Sequence, residues 1–248
     1  MRIVVIGATS AIAEHCCRLW VQREACDLLL VARDPGRAER VAQDLRVRSP
    51  ASTVEVASLD FLDAGAIGRL AEQTQAAGKG PIDIVLIAHG WLLEQGLLQS
   101  DLVLCRDAIE VNAVSPALFA EAFAALLARA GRGTLAIIGS VAGDRGRKAN
   151  YTYGAAKGFI ERYAEGLQHR LAGSGVAVVL VKPGPTDTPM AAPMKARGGR
   201  PASVEEVARA TVRGIDAKRP MFYVPARWAL IMFVVRNLLR FVFNRLNN

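Results

Sequence analysis

Two polar side chains of complementary chemistry, Tyr153 and Lys157, are four residues apart in a segment predicted to be helical. Residues at that spacing share one helix face, so the phenol and the ammonium are expected to lie side by side. An ammonium favours the phenolate, which predicts a pKa for Tyr153 below its usual value of about 10. A tyrosine that titrates nearer neutral pH could act as a general acid or base.

A serine hydroxyl is expected close to this pair. The apolar run 134–138 predicts a buried strand, and Ser140 follows its end. A hydroxyl there could hold a carbonyl oxygen within reach of Tyr153. Tyr151 is a second tyrosine in the segment, but Ala155 occupies the position four residues beyond it, so it lacks the lysine partner.

A glycine turn suited to a nucleotide follows the first predicted strand, residues 2–6, which ends at Gly7. A helix is predicted directly after this turn, as far as Arg23. Exposed N–H groups and the helix dipole both favour an anion at a helix N-terminus, so the turn predicts a pyrophosphate site. The candidate cofactor contacts of this turn are Gly7, Thr9, Ser10, Ala11 and Ile12.

The end of the second predicted strand, residues 27–32, selects the cofactor. An acidic residue there would bind the adenine ribose hydroxyls and favour NAD, whereas an arginine accommodates the extra phosphate of NADP. This strand ends at Ala32 and is followed by Arg33. Asp34 could neutralise Arg33, but it is expected at the start of the next helix. The sequence therefore predicts NADP (NADPH) as the cofactor.

The combination of Ser140, Tyr153-x-x-x-Lys157 and a glycine turn after the first strand resembles the short-chain dehydrogenase/reductase family, over nearly the whole chain. The resemblance implies an α/β fold: one Rossmann-type domain with a doubly wound parallel sheet of about seven strands. It also implies hydride transfer between NADP and a carbonyl or alcohol, without a metal. Tyr153 would protonate the carbonyl oxygen, Ser140 would hold that oxygen, and Lys157 would bind the nicotinamide ribose.

Further residues receive roles from the same resemblance. Asn112 would distort the predicted helix 102–130 and hold a water in a proton relay from Lys157. Asp60 would meet the adenine ring, with a turn or helix-capping role as the alternative. Ala88 and Gly90 would belong to a cofactor loop after the fourth strand. The turn after the sixth strand would meet the nicotinamide carboxamide through Pro183, Gly184, Thr186 and Thr188.

The family motifs are altered at two places. Alanines stand at positions 11 and 13, where the family usually has glycine, and Ala88-His89-Gly90 replaces most of an Asn-Asn-Ala-Gly motif. These features are similar to decaprenylphosphoryl keto-pentose reductases, which implies a keto-sugar or an apolar lipid-linked ketone as the substrate. Two alternatives stay open: a reductase of soluble ketones or acyl-thioesters, and an NADP-sensing partner protein without turnover. His89 could contact the substrate or only line the loop.

Composition limits the other possibilities. The 248 residues suffice for one large domain, and a net charge of +8 permits anionic partners, but no nucleic-acid motif accompanies it. The first strand begins at Arg2, which leaves no room for a signal peptide, and four cysteines without C-x-x-C spacing are typical of a reducing, cytoplasmic compartment. A catalytic domain is predicted over residues 1–225, with a tail over 226–248 and a methionine-bearing substrate lid over 189–201.

The tail combines apolar residues with arginine. Polar residues at positions 236, 240 and 244 predict a stripe on one amphipathic helix, and three arginines argue against a bilayer span. Residues 228–248 are therefore predicted to lie on an anionic membrane, at its inner face. The alternative is that the tail packs over the substrate cleft or against a second subunit, because members of the family commonly form homo-oligomers.

Overall fold

Seven short apolar strands form a single parallel sheet in the computed structural model, which describes residues 1–196 and 198–245. The strand order is β3-β2-β1-β4-β5-β6-β7. Parallel strands covered on both faces are apolar throughout, and β1 and β4 are buried at every position. The strands are β1 Arg2–Ile6, β2 Asp27–Ala32, β3 Thr53–Ser58, β4 Ile84–Ile87, β5 Gly133–Ile138, β6 Val176–Pro183 and β7 Met221–Val224.

Helices connect successive strands and cover both faces of the sheet. Several begin at a side chain that accepts a backbone N–H of the first turn, which satisfies donors that a helix leaves unpaired. These capping residues are Asp34, Asp63, Asp101 and Ser203. The helices are α1 Ala11–Arg23, α2 Pro35–Arg48, α3 Ala64–Ala76, α4 Gln95–Ser100, α5 Leu102–Ile109, α6 Ser115–Ala130, α7 Tyr151–Arg170, α8 Ala192–Ala196, α9 Val204–Asp216, α10 Arg227–Asn237 and α11 Arg240–Phe243.

Two apolar cores lie against the sheet, one on each face. Trp20 of α1 packs in the first core with α9 residues such as Val207. Phe119 and Phe123 of α6 pack in the second, together with Ile160 of α7. Helices on both faces of a seven-stranded parallel sheet confirm the predicted doubly wound α/β architecture.

The strand order reverses between β1 and β4, and ligands of such sheets bind outside the carboxyl ends of the strands at this point. Gly7, Ala88 and Gly184 directly follow β1, β4 and β6, and Ser140 lies two residues after β5, so residues far apart in the sequence meet at one edge. The fold thereby brings the predicted nucleotide turn and the predicted catalytic serine to the same, carboxyl-terminal edge of the sheet.

The predicted helix 102–130 is correct in extent but is divided into three parts. A π-helical segment, Glu110–Val114, separates α5 from α6, as expected for a distortion at Asn112. In the described part of the chain, this run alone is long and apolar enough to cross a membrane. Of its most apolar window, 61% is buried inside the protein, so it has the character of a core helix.

The tail differs from the prediction. Its helix ends at Asn237 and a short one begins at Arg240, so positions 236, 240 and 244 do not form one stripe, and the predicted continuous helix is wrong. The physical reason lies in Arg145, whose Nη1 donates to the carbonyl oxygens of Val235 and Leu238, at 2.5 and 2.7 Å. Residues 246–248 of the predicted tail lie outside the described residues.

Candidate active site

Ser140, Tyr153 and Lys157 come together at the carboxyl end of β5. Ser140 caps a short 3-10 turn, Val141–Asp144, and its Oγ accepts the N–H of Ala142 at 3.1 Å. A hydrogen bond joins the Ser140 and Tyr153 side chains. Lys157, one turn along α7, is 3% exposed and donates from Nζ to the Ile138 carbonyl at 3.0 Å. The three groups therefore occupy one small site.

The protonation of this site differs from the prediction. Burial raises the pKa of Tyr153 to about 12, against a smaller lowering by the hydrogen bond with Ser140. Burial also lowers the pKa of Lys157 to about 8. The Lys157 ammonium lies 5.7 Å from the centre of the Tyr153 ring. Because desolvation dominates, the predicted lowering of the Tyr153 pKa is wrong, and the phenol keeps its proton at neutral pH.

Asn112 is fully buried within the π-helical segment. Its Nδ2 donates to the carbonyls of Trp91 and Ala108, both at 2.7 Å, and its Oδ1 accepts the N–H of Trp91 at 2.8 Å. The side chain thus fixes the loop after β4 to the helix. A Cβ added to Gly90 would lie 3.0 Å from Asn112 Oδ1 and 3.6 Å from Lys157 Nζ, so the three residues are neighbours.

Gly7 occupies a position where only glycine fits. Its φ is +82°, and a Cβ there would lie 2.6 Å from the backbone nitrogen of His89. The turn then leads into α1 at Ser10, which makes no side-chain capping bond. The N–H groups of the first turn of α1 are thus available to an anion, and the turn fits a pyrophosphate. Thr9 and Ala11 are partly exposed beside it, whereas Ile12 is buried.

Arg33 is exposed after the end of β2. Among the described ion pairs, none joins Asp34 to Arg33. The Asp34 carboxylate instead accepts the N–H of Arg37 at 3.0 Å and caps α2. A cleft of about 310 Å³ between α1 and α2 is lined by Thr9 of the nucleotide turn and by Arg37 and Arg40. Arg33, Arg37 and Arg40 therefore bring positive charge to the predicted adenosine end, and Glu14 and Asp44 line the same cleft beside Arg18.

Asp60 lies after β3, where it is exposed and accepts the N–H of Leu62 at 2.9 Å. This is the turn role that the sequence left open. An exposed carboxylate at this edge remains accessible to a ligand, so its predicted contact with adenine stays a prediction.

The loop after β6 is largely buried. Thr186 donates from its hydroxyl to the Gly184 carbonyl at 3.0 Å, while Thr188 is partly exposed at the start of a 3-10 turn, Pro189–Ala191. The lid predicted at 189–201 contains this turn and α8, and Lys195 pairs with Asp187 at 2.9 Å. Pro183 is buried at the strand end.

Sequence reasoning missed that the tail reaches this loop. A Cβ on Gly184 would lie 2.0 Å from Nε1 of Trp228, so the indole lies directly over the glycine. Met232, one turn further along α10, is 0% exposed. The tail thus packs against the loop after β6, and the predicted alternatives for it, over the substrate cleft or against a second subunit, stay predictions. Trp228 and Gly184 are far apart in the chain, so no local sequence signal indicates this contact.

His89 lines the loop from within. Its Nε2 lies 2.9 Å from Ser115 Oγ, and its ring makes edge contacts with Phe61 and Phe119. Burial, with smaller contributions from the charges of Lys157 and Arg33, lowers the pKa of His89 to about 3. A neutral, aromatic-packed histidine supports the nucleotide turn and is not suited to proton transfer at neutral pH.

The described residues contain no cluster of three His, Cys, Asp or Glu side chains that could hold a metal ion. The groups that the structure brings together at this edge are the Tyr153 phenol, the Ser140 hydroxyl and the Lys157 ammonium.

Comparison with known proteins places this arrangement in context. Residues 1–198 match the family profile described as short chain dehydrogenase. The chain is 33% identical over 248 residues to an uncharacterized oxidoreductase of Mycobacterium tuberculosis, covering 98% of this chain and 96% of that relative. It is 31% identical over 252 residues to an uncharacterized oxidoreductase of Streptomyces coelicolor, covering 98% and 95%.

One solved structure that matches nearly the whole chain contains a bound cofactor. It is a short-chain dehydrogenase from Sphingobium yanoikuyae in complex with NADPH, 26% identical, with a TM-score of 0.81 and 97% of both chains covered. Its fold matches the sheet and the helices described above over nearly their whole length.

Proposed function

Because this chain belongs to the short-chain dehydrogenase family of oxidoreductases, we propose that it is an NADPH-dependent reductase of a carbonyl substrate. The observation that supports this most strongly is that Ser140, Tyr153 and the buried Lys157 lie together at the carboxyl end of β5. A non-catalytic NADP-sensing role has no need of these three groups in one site.

The proposed reaction uses each group in one way. NADPH, when bound, supplies the hydride. Ser140 holds the carbonyl oxygen, and Tyr153, whose phenol carries its proton at neutral pH, donates that proton to the oxygen. Lys157 binds the nicotinamide ribose and, through a water held near Asn112, returns a proton to Tyr153.

We assign NADP rather than NAD on charge. Arg33 is exposed where the adenosine phosphate would lie, and the cleft lined by Thr9, Arg37 and Arg40 adds two guanidinium groups. The remaining cofactor contacts are proposed as the sequence placed them, at the turn after β1, at Asp60, at Ala88 and Gly90, and along the loop after β6. The NADPH complex of the Sphingobium relative supports the same choice.

The proposed substrate is a keto-sugar or an apolar, lipid-linked ketone, with soluble ketones or acyl-thioesters as the alternative. The tail supports the apolar class, because its outer face is apolar beside the cleft. Leu230, Phe233 and Phe241 are 71%, 66% and 62% exposed, and residues 226–248 contain four arginines and no acidic residue. Such a face suits an anionic membrane surface. We therefore place the enzyme in the cytoplasm, peripheral to the inner face of the membrane.

A different surface is proposed for self-association. Leu102 and Val103 of α5 are 81% and 61% exposed, and Phe159 of α7 is 48% exposed. Exposed apolar residues on two neighbouring helices support a homo-oligomer through these helices and leave the tail face for lipid.

The test is a substrate screen that follows NADPH oxidation at 340 nm. It includes lipid-linked keto-sugars in detergent, matched free keto-sugars, simple ketones and acyl-thioesters. Turnover of the lipid-linked compounds above their free counterparts supports the proposal. Turnover of acyl-thioesters or soluble ketones alone would favour the alternative, and NADPH binding without turnover of any class would favour the sensing role.

A further inference from the structure

A lysine that the proposed chemistry does not use is buried at the end of β6. The Lys182 side chain is 1% exposed, although six apolar residues precede it in the strand. Lysine is rarely buried unless its charge is paired. Burial disfavours its ammonium, but hydrogen bonds to Asp144 and Glu161 raise the pKa of Lys182 above its ordinary value. The group is thus a buried cation.

Two carboxylates surround this cation. The Asp144 side chain is 0% exposed and contacts Nζ directly, and Glu161, 8% exposed, has Oε2 at 2.8 Å from it. A third neighbour is Tyr223 of β7, whose hydroxyl donates to Asp144 at 2.7 Å and whose ring centre lies 5.1 Å from Nζ. The cluster is closely paired, as a buried charge requires.

The partners of Lys182 belong to the elements that bear the candidate catalytic groups. Asp144 ends the 3-10 turn that Ser140 caps. Glu161 lies on α7 four residues after Lys157 and eight after Tyr153, along the same helix face. Lys182 itself precedes the loop proposed to meet the nicotinamide. One ammonium therefore joins the serine turn, the tyrosine helix and the cofactor loop.

The serine turn also approaches α7 closely through its backbone. A Cβ on Gly143 would lie 2.9 Å from the backbone nitrogen of Gly158, and a Cβ on Gly154 would lie 2.8 Å from the Ala142 carbonyl oxygen. The ion pairs of Lys182 with Asp144 and with Glu161 add a side-chain link between the end of the turn and the helix.

We propose that Lys182 is a positioning residue: its ammonium, held between Asp144 and Glu161, sets the serine turn on α7 so that Ser140 and Tyr153 meet the same oxygen. Among the described residues, its ion pairs are with these two carboxylates, and none joins it to Ser140, Tyr153 or Lys157. Its effect on the reaction is thus indirect. The proposal rests on the proposed function for the meaning of that geometry.

The test compares Lys182→Met with Lys79→Met. Lys79 offers a matched control, because it also lies between two carboxylates, Asp27 and Glu55, but is 32% exposed at the opposite, amino-terminal edge of the sheet. With a substrate found by the screen, Lys182→Met is expected to lower kcat by about a hundredfold, as for a catalytic group misplaced by about 1 Å. The dissociation constant for NADPH and the kcat of Lys79→Met are expected to stay near wild type.

A second variant covers loss of folding. Lys182→Met leaves Asp144 buried without its cation, so Lys182→Met/Asp144→Asn, which removes that charge, is measured as well. Because both changes break the same contact, the double variant is expected to lose no more kcat than the single variant. A folded Lys182→Met, or a folded double variant, with wild-type kcat would overturn the proposal.

The last readout does not depend on turnover. Protein labelled with ¹³Cζ-tyrosine reports the Ser140–Tyr153 hydrogen bond as the chemical shift of Tyr153, with Ser140→Ala as the reference for its loss. We expect Lys182→Met and the double variant to move this shift towards the Ser140→Ala value, while Lys79→Met leaves it unchanged. A wild-type shift in both folded Lys182 variants would overturn the positioning role, even if no carbonyl substrate is ever turned over and the proposed function itself fails.

Discussion

Arg33 is the residue on which cofactor choice most depends in our proposal. Arg33→Ala should raise the dissociation constant for NADPH roughly ten- to a hundredfold, because a charge-assisted contact to a phosphate contributes about 1.5–3 kcal/mol. The dissociation constant for NADH should change little, since NADH lacks that phosphate. Fluorescence titration measures both, with Arg213→Ala on α9 as a control for loss of positive charge. Equal losses for the two cofactors would remove Arg33 from the phosphate site.

His89 makes stability depend on pH. Its folded pKa of about 3 lies below the ordinary value of 6.5, so the unfolded chain binds its proton first. The contribution of neutral His89 is therefore fully present above pH 6.5 and is lost as the pH falls towards 3. We expect a loss of about 1 kcal/mol by pH 5.5, measured by urea denaturation.

The control for this prediction is His89→Phe, which keeps an aromatic ring beside Phe61 and Phe119 but cannot titrate. The difference in unfolding free energy between the two proteins should change between pH 7 and 5.5. Parallel pH curves would show that His89 does not titrate as described.

The residues of the candidate site could largely be predicted, but their protonation could not. Spacing placed Tyr153 and Lys157 on one helix face, and the strand end placed Ser140 beside them. The pKa of Tyr153 follows from desolvation, which depends on chain segments that are remote in the sequence. The ion pairs of Lys182 could not be predicted for the same reason, because its partners Asp144 and Glu161 are distant in the chain.

At the scale of elements, the contact between the serine turn and α7 is the most sensitive to added volume. Gly143→Ala places a methyl 2.9 Å from backbone atoms of Lys157 and Gly158, closer than such atoms can approach. The turn must then move away from the helix. We expect kcat to fall by about a hundredfold, as for misplaced reacting groups, with NADPH binding largely retained.

Gly166→Ala is the matched control for this prediction. It adds a methyl to α7 at a position where nothing lies within 4 Å, so it should leave kcat unchanged and stabilise the helix by about 1 kcal/mol. Steady-state kinetics and thermal melting of both variants make the comparison. Wild-type kcat in Gly143→Ala would show that the turn tolerates displacement.

Most helices and strands could be predicted from the sequence, because apolar runs and helix caps are local signals. Strands β1, β2 and β5 lie where the apolar runs predicted them, within one residue at each end. The break in the tail was not accessible. It depends on Arg145, whose guanidinium donates hydrogen bonds to carbonyl oxygens at the end of α10, about ninety positions away in the chain.

At the scale of the whole molecule, the tail joins the active site to an apolar outer surface. Replacement of Leu230 and Phe233 by serine should abolish sedimentation with phosphatidylglycerol vesicles at low salt, because it removes exposed apolar area beside the arginines. Both side chains point outward, so the buried contacts of Trp228 and Met232 should remain.

The control for the tail replaces Val47 and Leu62, which are exposed at 81% and 38% on other parts of the surface, by serine. This variant should still sediment with the vesicles. If wild-type protein fails to bind them, the membrane proposal is wrong. If the tail variant instead changes the molecular mass in solution, the tail is a contact between subunits.

In the proposed reaction, Tyr153 gives a proton to the carbonyl oxygen of the substrate while the carbonyl carbon receives hydride from NADPH. The most direct measurement supplies NADPH deuterated at C4, on each face in turn, with an accepted ketone, and analyses the alcohol by mass spectrometry. We predict one deuterium on the carbinol carbon, from one face only, with wild-type protein and with Tyr151→Phe, and no product with Tyr153→Phe although it still binds NADPH. Deuterium-labelled alcohol formed by Tyr153→Phe at the wild-type rate, or alcohol without deuterium from either face, would contradict the account.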